Sequence, residues 1–168
     1  MKALGILLFV LGLSSCFLPT PHDWCWGLGF GYCLADGAEA ALPDRSLTPG
    51  ISDPRLTKVV ICAKGFSTKK YRHTTAAMKR KVCQEYHVKA RCPGVAQEID
   101  HLIALTDGGA DVIENLWPQP YTPSPSAHQK DALENKLHSM VCKGQVDLPA
   151  AQACLATNWY VCYQKYER

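Results

Sequence analysis

Apolar residues open this chain as an unbroken run, give way to a stretch with no period, and return from Leu42 at helix and strand spacings. After a turn at Leu47-Thr48-Pro49-Gly50, the short β-branched run 58–62 predicts a strand. Residues 74–86 put Ala76, Ala77, Met78, Val82 and Tyr86 on one helical face, with Thr74 or Thr75 as cap and Lys79, Arg80 and Lys81 on the exposed side. Residues 99–105 predict a second strand, Asp107-Gly108-Gly109-Ala110 its turn, and residues 112–117 the return leg of a hairpin, since glycine tolerates the positive φ of such a turn. Pro118, Pro120, Pro123 and Pro125 argue against regular structure over 118–126. From Ser126, Lys130, Leu133, Leu137, Met140 and Val141 recur at helical period to Cys142, and Lys143-Gly144 ends that helix. Asp147-Leu148-Pro149 starts a last helix that carries Ala153 and Leu155 inward and ends near Asn158. The expected class is α+β, with the order strand, strand, helix at its centre.

The opening run changes where that domain begins. Lys2 followed by apolar residues 3–13 has the charge and length of a signal-peptide core, too short to span a bilayer. Leu13-Ser14-Ser15-Cys16 resembles a bacterial lipobox, with residues 1–15 removed and Cys16 as the lipid-bearing residue; ordinary secretion with cleavage before Pro21 is the alternative. Residues 16–41 then read as a spacer or a small Cys25 to Cys33 loop, and residues 42–168 as one domain. Nine cysteines agree with export to a periplasmic, envelope or extracellular location, because none forms the Cys-x-x-Cys pairs of a structural zinc site. If Cys16 carries lipid, eight remain to pair. Connectivity is open, although Cys83 with Cys92 and Cys154 with Cys162 lie close enough for local staples, and Cys62 with Cys142 could tie distant segments.

Net charge is only +3, but the cations are not spread evenly. Between Arg55 and Arg91 lie Lys58, Lys64, Lys69, Lys70, Arg72, Lys79, Arg80, Lys81 and Lys89, with Glu85 the single acid. Such a block suits a polyanion, because neutralising phosphates supplies most sequence-independent nucleic-acid affinity. It is also what a solvated basic helix looks like.

Candidate chemistry concentrates in Glu98-Ile99-Asp100-His101-Leu102-Ile103, Gly108-Gly109, Glu114-Asn115-Leu116-Trp117 and Ala127-His128-Gln129-Lys130-Asp131. A carboxylate beside a histidine, a tight turn, an amide and a second histidine are parts of a one-metal phosphodiesterase site. Such hydrolysis needs a deprotonated water in line with the leaving oxygen and a cation to take up developing charge. A histidine, with an unperturbed pKa of about 6.5, suits that proton transfer near neutrality, which makes His101 the candidate base. Asp100, adjacent on a strand, points to the opposite face unless the strand bends or bulges. Asn115 on the return leg can hydrogen-bond the backbone or ring of His101. Each has a duller reading: Asp100 and His101 as a buried structural pair, Asn115 as a strand-end residue, His128 as an exposed residue at a helix start. Glu98 reads as a strand-edge charge or a carboxylate behind the site, and Gly108 and Gly109 are explained by the turn alone.

Taken together, these motifs with Asn115-Leu116-Trp117-Pro118 and Lys130-Asp131 resemble the HNH endonuclease family. Leu47-Thr48-Pro49-Gly50, Ile61-Cys62, Leu133-Glu134, Leu137-His138 and Val141-Cys142 resemble a group of exported bacterial HNH proteins, so the likeness spans residues 42–160. The resemblance implies a ββα-metal core with additional helices and metal-dependent hydrolysis of double-stranded DNA. It implies Asp100 on the metal, His101 on the water, Asn115 orienting His101, and His128 completing the metal site. The interval from Asn115 to His128 exceeds the family's, which leaves Asp131 and His138 as alternatives. The ion would be a single Mg²⁺, Mn²⁺ or Zn²⁺, with no organic cofactor. Lys69, Lys70, Arg72, Lys79, Arg80 and Lys81 would grip the DNA backbone, with low sequence preference because no base-reading motif is evident. Two other readings are a non-catalytic nucleic-acid-binding module on a degenerate HNH core, and an exported disulfide-rich protein whose basic helix docks an acidic partner.

Overall fold

The computed structural model describes residues 42–88 and 91–166. The expected leader, Cys16 and the Cys25 to Cys33 loop lie outside the described residues. Within them the class is α+β: α1 (Lys58–Ile61), α2 (Ala76–Glu85), the antiparallel hairpin β1 (Gln97–His101) and β2 (Leu116–Pro120), α3 (Ala127–Cys142) and α4 (Leu148–Tyr166).

The segment expected as a strand over 58–62 is instead the single helical turn α1, closed by Ile61 N–H to Thr57 O and Cys62 N–H to Lys58 O, both 3.0 Å. Strand alternation would bury Val59 together with Ile61, yet Val59 is exposed, Ile61 is buried, and Val60 and Cys62 beside it are half-buried against the core. Cys62 at the end of the turn bonds Cys142 at the end of α3, across 80 residues of sequence. Packing and this tether outweigh a β preference that is largely a matter of context. The span and cap of α2 match expectation, with Thr75 accepting from Met78 N–H at 3.1 Å, but its buried face is Val82, Cys83 and Tyr86, while Ala76 and Ala77 are exposed and Lys79 is half-buried.

The hairpin is shifted from the expected one. β1 runs from Gln97 to His101, and its pairing with β2 is one-to-one, Ile99 opposite Pro118, Asp100 opposite Trp117 and His101 opposite Leu116. Two of the prolines thought to exclude regular structure therefore sit inside β2. In an antiparallel pair alternate residues point their backbone groups to opposite edges. Trp117 and Gln119 share the phase of Asn115 and Tyr121, whose O and N–H bond Leu102 N–H and Ala96 O. Pro118 and Pro120 face the open edge, where a missing N–H breaks no ladder bond. The irregular proline segment shortens to residues 121–126.

Residues 102–115 form a broad loop with helical turns at Leu105–Asp107 and Ile113–Asn115, not a tight hairpin turn. Gly108 adopts φ +79°, and a Cβ on Gly109 would lie 1.8 Å from Ile103 O, so each glycine is required for a different reason.

α3 begins at Ser126, whose N–H donates to Gln129 Oε1 at 2.8 Å, half of a capping box. In α4 helical geometry lapses at Asn158, the expected end, but its side chain then caps a second stretch by accepting from the N–H groups of Tyr160 and Val161. The Cys154–Cys162 disulfide spans that break, and Cys83–Cys92 ties the end of α2 to the approach of β1. Ala151, not Ala153, joins Leu155 and Trp159 on the inner face of α4. These residues share one core with Leu133, Leu137 and Val141 of α3, Val82 and Tyr86 of α2, and Ile99, Leu116 and Trp117 of the hairpin. Three disulfides in a domain of this size point to an oxidising, extracellular environment. Among the described residues no helix is long and apolar enough to cross a membrane.

Candidate active site on the hairpin

Because β1 pairs residue for residue with β2, with no bulge at its end, Asp100 and His101 obey the strand's alternation and face opposite ways. Each finds its own partner, and neither partner belongs to the expected set.

His101 is 2 % exposed, and its Nε2 lies 2.7 Å from Oδ1 of Asp111, itself 6 % exposed. Asp111 also accepts from Thr74 Oγ1 and from the backbone N–H of His73, so it ties the hairpin loop to the segment leading into α2. Burial alone would raise the Asp111 carboxyl; the donors from Thr74, His73 and His101 outweigh it and hold the carboxyl below its ordinary range. Burial lowers the His101 pKa, against the Asp111 hydrogen bond, and nearby Arg72 pushes the same way as burial. The imidazole is therefore neutral at neutral pH.

On the other face, Asp100 Oδ2 accepts from Lys130 Nζ at 2.7 Å. That ammonium has no exposed side-chain surface, and it also donates to His101 O at 2.6 Å and to Glu134. Burial would lower its pKa, but the two carboxylates overcome burial and hold it above the ordinary lysine value. Burial also pushes the Glu134 carboxyl up to about 8, against the pull of Lys130. The strand's Asp-His dipeptide is thus held from one side by a lysine on α3 and from the other by an aspartate in the hairpin loop.

Asn115 is fully buried and spends its amide on backbone. Its Oδ1 accepts from Ile103 N–H at 3.0 Å and Ile51 N–H at 3.3 Å, and its Nδ2 donates to Ile103 O and Ala110 O, both 2.9 Å. It fixes the 102–110 loop and bonds neither the ring nor the backbone of His101; the expected contact falls two residues later. His128 is exposed and stacks on Tyr121 with ring centroids 5.4 Å apart. Of its two alternatives, His138 binds Thr106 O through Nδ1 at 2.8 Å, and Asp131 stays on the surface with its carboxyl raised by burial and by Asp100. Glu98 is raised in the same way, by burial, Asp100 and Asp131.

Among the described residues no three of His, Cys, Asp or Glu converge as metal ligands, and one oxygen of Asp100 already serves the Lys130 ammonium.

Of the basic residues, Arg72 stands within electrostatic reach of His101, while Lys69 and Lys70 form the exposed turn just before it. Arg80 and Lys81 are exposed on α2, Lys79 is half-buried there, and Lys81 pairs with Glu85 at 3.6 Å. A cleft of 330 Å³ opens beside Asp111, walled by Arg55, Tyr71, His73 and Gly109. A larger one, 660 Å³, lies at the start of α4 and contains none of the expected site residues.

Asp111 and Lys130 are the side chains that sequence reasoning missed as partners. Lys130 left a signal, a lysine in phase with Leu133 and Leu137 on the buried side of a helix, a position that demands a carboxylate. Asp111 left none, being one acid among several in a loop. Compared with family models, curated proteins and solved structures, the chain matches none.

Proposed function

We propose that the protein hydrolyses phosphodiester bonds in nucleic acid, as an endonuclease in which His101 takes the proton of the attacking water. What carries this reading is the His101–Asp111 pair, a neutral imidazole hydrogen-bonded to a carboxylate beside Arg72 in the cationic segment. A neutral ring next to a fixed anion is suited to become an imidazolium. In the proposed step a water proton passes to a ring nitrogen of His101 while the water oxygen bonds phosphorus. The bond from phosphorus to the leaving sugar oxygen breaks, and that oxygen is protonated from solvent. Arg72 meets charge on the phosphoryl oxygens, and Lys69, Lys70, Lys79, Arg80 and Lys81 hold neighbouring phosphates of double-stranded DNA without reading bases.

A binding-only module is the second reading, favoured by the 2 % exposure of the His101 side chain. Plasmid nicking separates the two. The oxidised protein is assayed with Mg²⁺, Mn²⁺ or Zn²⁺ in turn and in EDTA, beside His101→Ala. Nicking by the wild type that disappears in His101→Ala is expected, and the EDTA arm decides whether an ion brought with the phosphate takes part. Salt-sensitive DNA binding with no nicking in any condition would instead establish the binding module.

A further inference from the structure

We propose that Asp111 is the positioning residue of this site: it holds the Nε2–H of His101 and thereby leaves Nδ1 as the nitrogen that takes the proton. The inference rests on the reading of His101 as a base, and it names a residue and a ring nitrogen that this reading leaves open.

An ionised carboxylate can only accept, so a bond of 2.7 Å from His101 Nε2 to Asp111 Oδ1 places the imidazole proton on Nε2. Neutral imidazole carries a single ring proton, which leaves the lone pair on Nδ1. The carboxylate itself is not free to turn. His73 N–H and Thr74 Oγ1 hold its two oxygens from the far side, and the backbone at Ala110 is fixed by Asn115 Nδ2 at 2.9 Å. The main chain of His101 is pinned independently, by Lys130 Nζ on its carbonyl at 2.6 Å. Backbone and ring are thus set by separate anchors, and only the Asp111 anchor selects the tautomer. When Nδ1 accepts a proton, the imidazolium forms against a carboxylate in a nearly solvent-free position, where screening is weak.

Asp111 also docks residues 73–74, so a loss of activity on its removal has a purely structural explanation to be excluded. Asp111→Asn keeps the shape and removes the charge; Asp111→Ala removes the bond; Thr74→Val removes a docking bond and leaves the carboxylate in place. In ¹⁵N-labelled protein, His101 is expected as the Nε2–H tautomer in the wild type and in Thr74→Val, and as a tautomer mixture in Asp111→Ala. In nicking assays Asp111→Asn should lower kcat by about 100-fold or more, the usual range for disabling a general base, with KM for the plasmid unchanged. Added to His101→Ala, it should cause no further loss, because the two act as one unit. A wild-type Nδ1–H tautomer, additive losses with His101→Ala, or a fall in Thr74→Val as large as in Asp111→Asn would overturn the proposal. A protein that never nicks but shows the Nε2–H tautomer, lost in Asp111→Ala, would overturn the nuclease reading and leave the fixing of the ring supported.

Discussion

Lys130→Met is the substitution that most directly probes what holds the Asp-His strand end in place. The ammonium is fully enclosed and spends its three protons on Asp100, Glu134 and the His101 carbonyl. Methionine fills much the same space, so packing changes little and the loss is electrostatic. Removing one member of a buried charge pair typically costs about 3–5 kcal/mol, because the partner is left uncompensated. The two carboxylates do not share that cost equally. Glu134, raised by burial to about 8 even beside the ammonium, is already mostly protonated at pH 7 and strands little charge when the ammonium goes. The cost therefore falls on Asp100 and on the orphaned carbonyl of His101.

Equilibrium urea unfolding of the oxidised protein at pH 7 should show a loss of about 3–5 kcal/mol for Lys130→Met, a large share of the 5–15 kcal/mol of a typical domain. Adding Asp100→Asn should recover about 1–2 kcal/mol, and adding Glu134→Gln should recover little. A loss below about 1 kcal/mol for Lys130→Met would refute the reasoning, since a solvated pair is worth no more than that. Recovery through Glu134→Gln in place of Asp100→Asn would refute the assignment of Asp100 as the main counter-ion.

Other consequences are as direct. Burial raises the Asp107 carboxyl to about 7, so the native state keeps a proton that the unfolded chain, with an ordinary aspartate pKa of about 3.9, has released. Asp107 thus makes stability fall as pH rises between those values, and Glu134 extends the fall to about 8; urea midpoints at pH 5 and pH 8 should show it, and Asp107→Asn should flatten the lower part. Gly109→Ala drives a Cβ to 1.8 Å from Ile103 O in a loop clamped by Asn115, and should lower stability by about 3 kcal/mol, seen as a drop in Tm. Chain-entropy arithmetic gives about 4.5 kcal/mol for the Cys62–Cys142 link and about 2.5 kcal/mol for Cys154–Cys162; paired Cys→Ala variants losing equal amounts would exclude loop closure as the main source.

Where local pattern and tertiary context agreed, the chain was legible. The α2 cap at Thr75, the span of α3 and the interruption at Asn158 follow from side chains that bond within a few residues of themselves. Residues 58–62 misled because β-branched residues favour strands only where a sheet receives them, and here α3 and a disulfide receive the segment instead. The prolines at 118 and 120 misled because a two-stranded sheet has only edge strands, which tolerate a proline in the right phase. At the candidate site, the hairpin that carries Asp100, His101 and Asn115 was legible, but the partners of these side chains were not. Asn115 was expected at His101 and clamps Ile103, a difference of two residues that spacing along a strand cannot settle.

The wiring follows from α3. By residue chemistry alone, His128, Asp131 and His138 are the candidate third ligands on this helix. The helix instead works along Lys130, Glu134, His138 and Cys142, four residues spaced one turn apart on a single edge. Lys130 holds Asp100 and the His101 carbonyl, Glu134 supports Lys130, His138 takes Thr106 O, and Cys142 fastens α1. Apart from Glu134, which acts on Lys130 within the helix, these contacts reach the hairpin's end, its loop and the end of α1. On the side of the strand toward α3, the lysine ammonium holds Asp100 Oδ2 and the His101 carbonyl. His101 is left with its ring turned the other way, toward Asp111 and the cationic segment, and the proposed reaction uses that face of the strand.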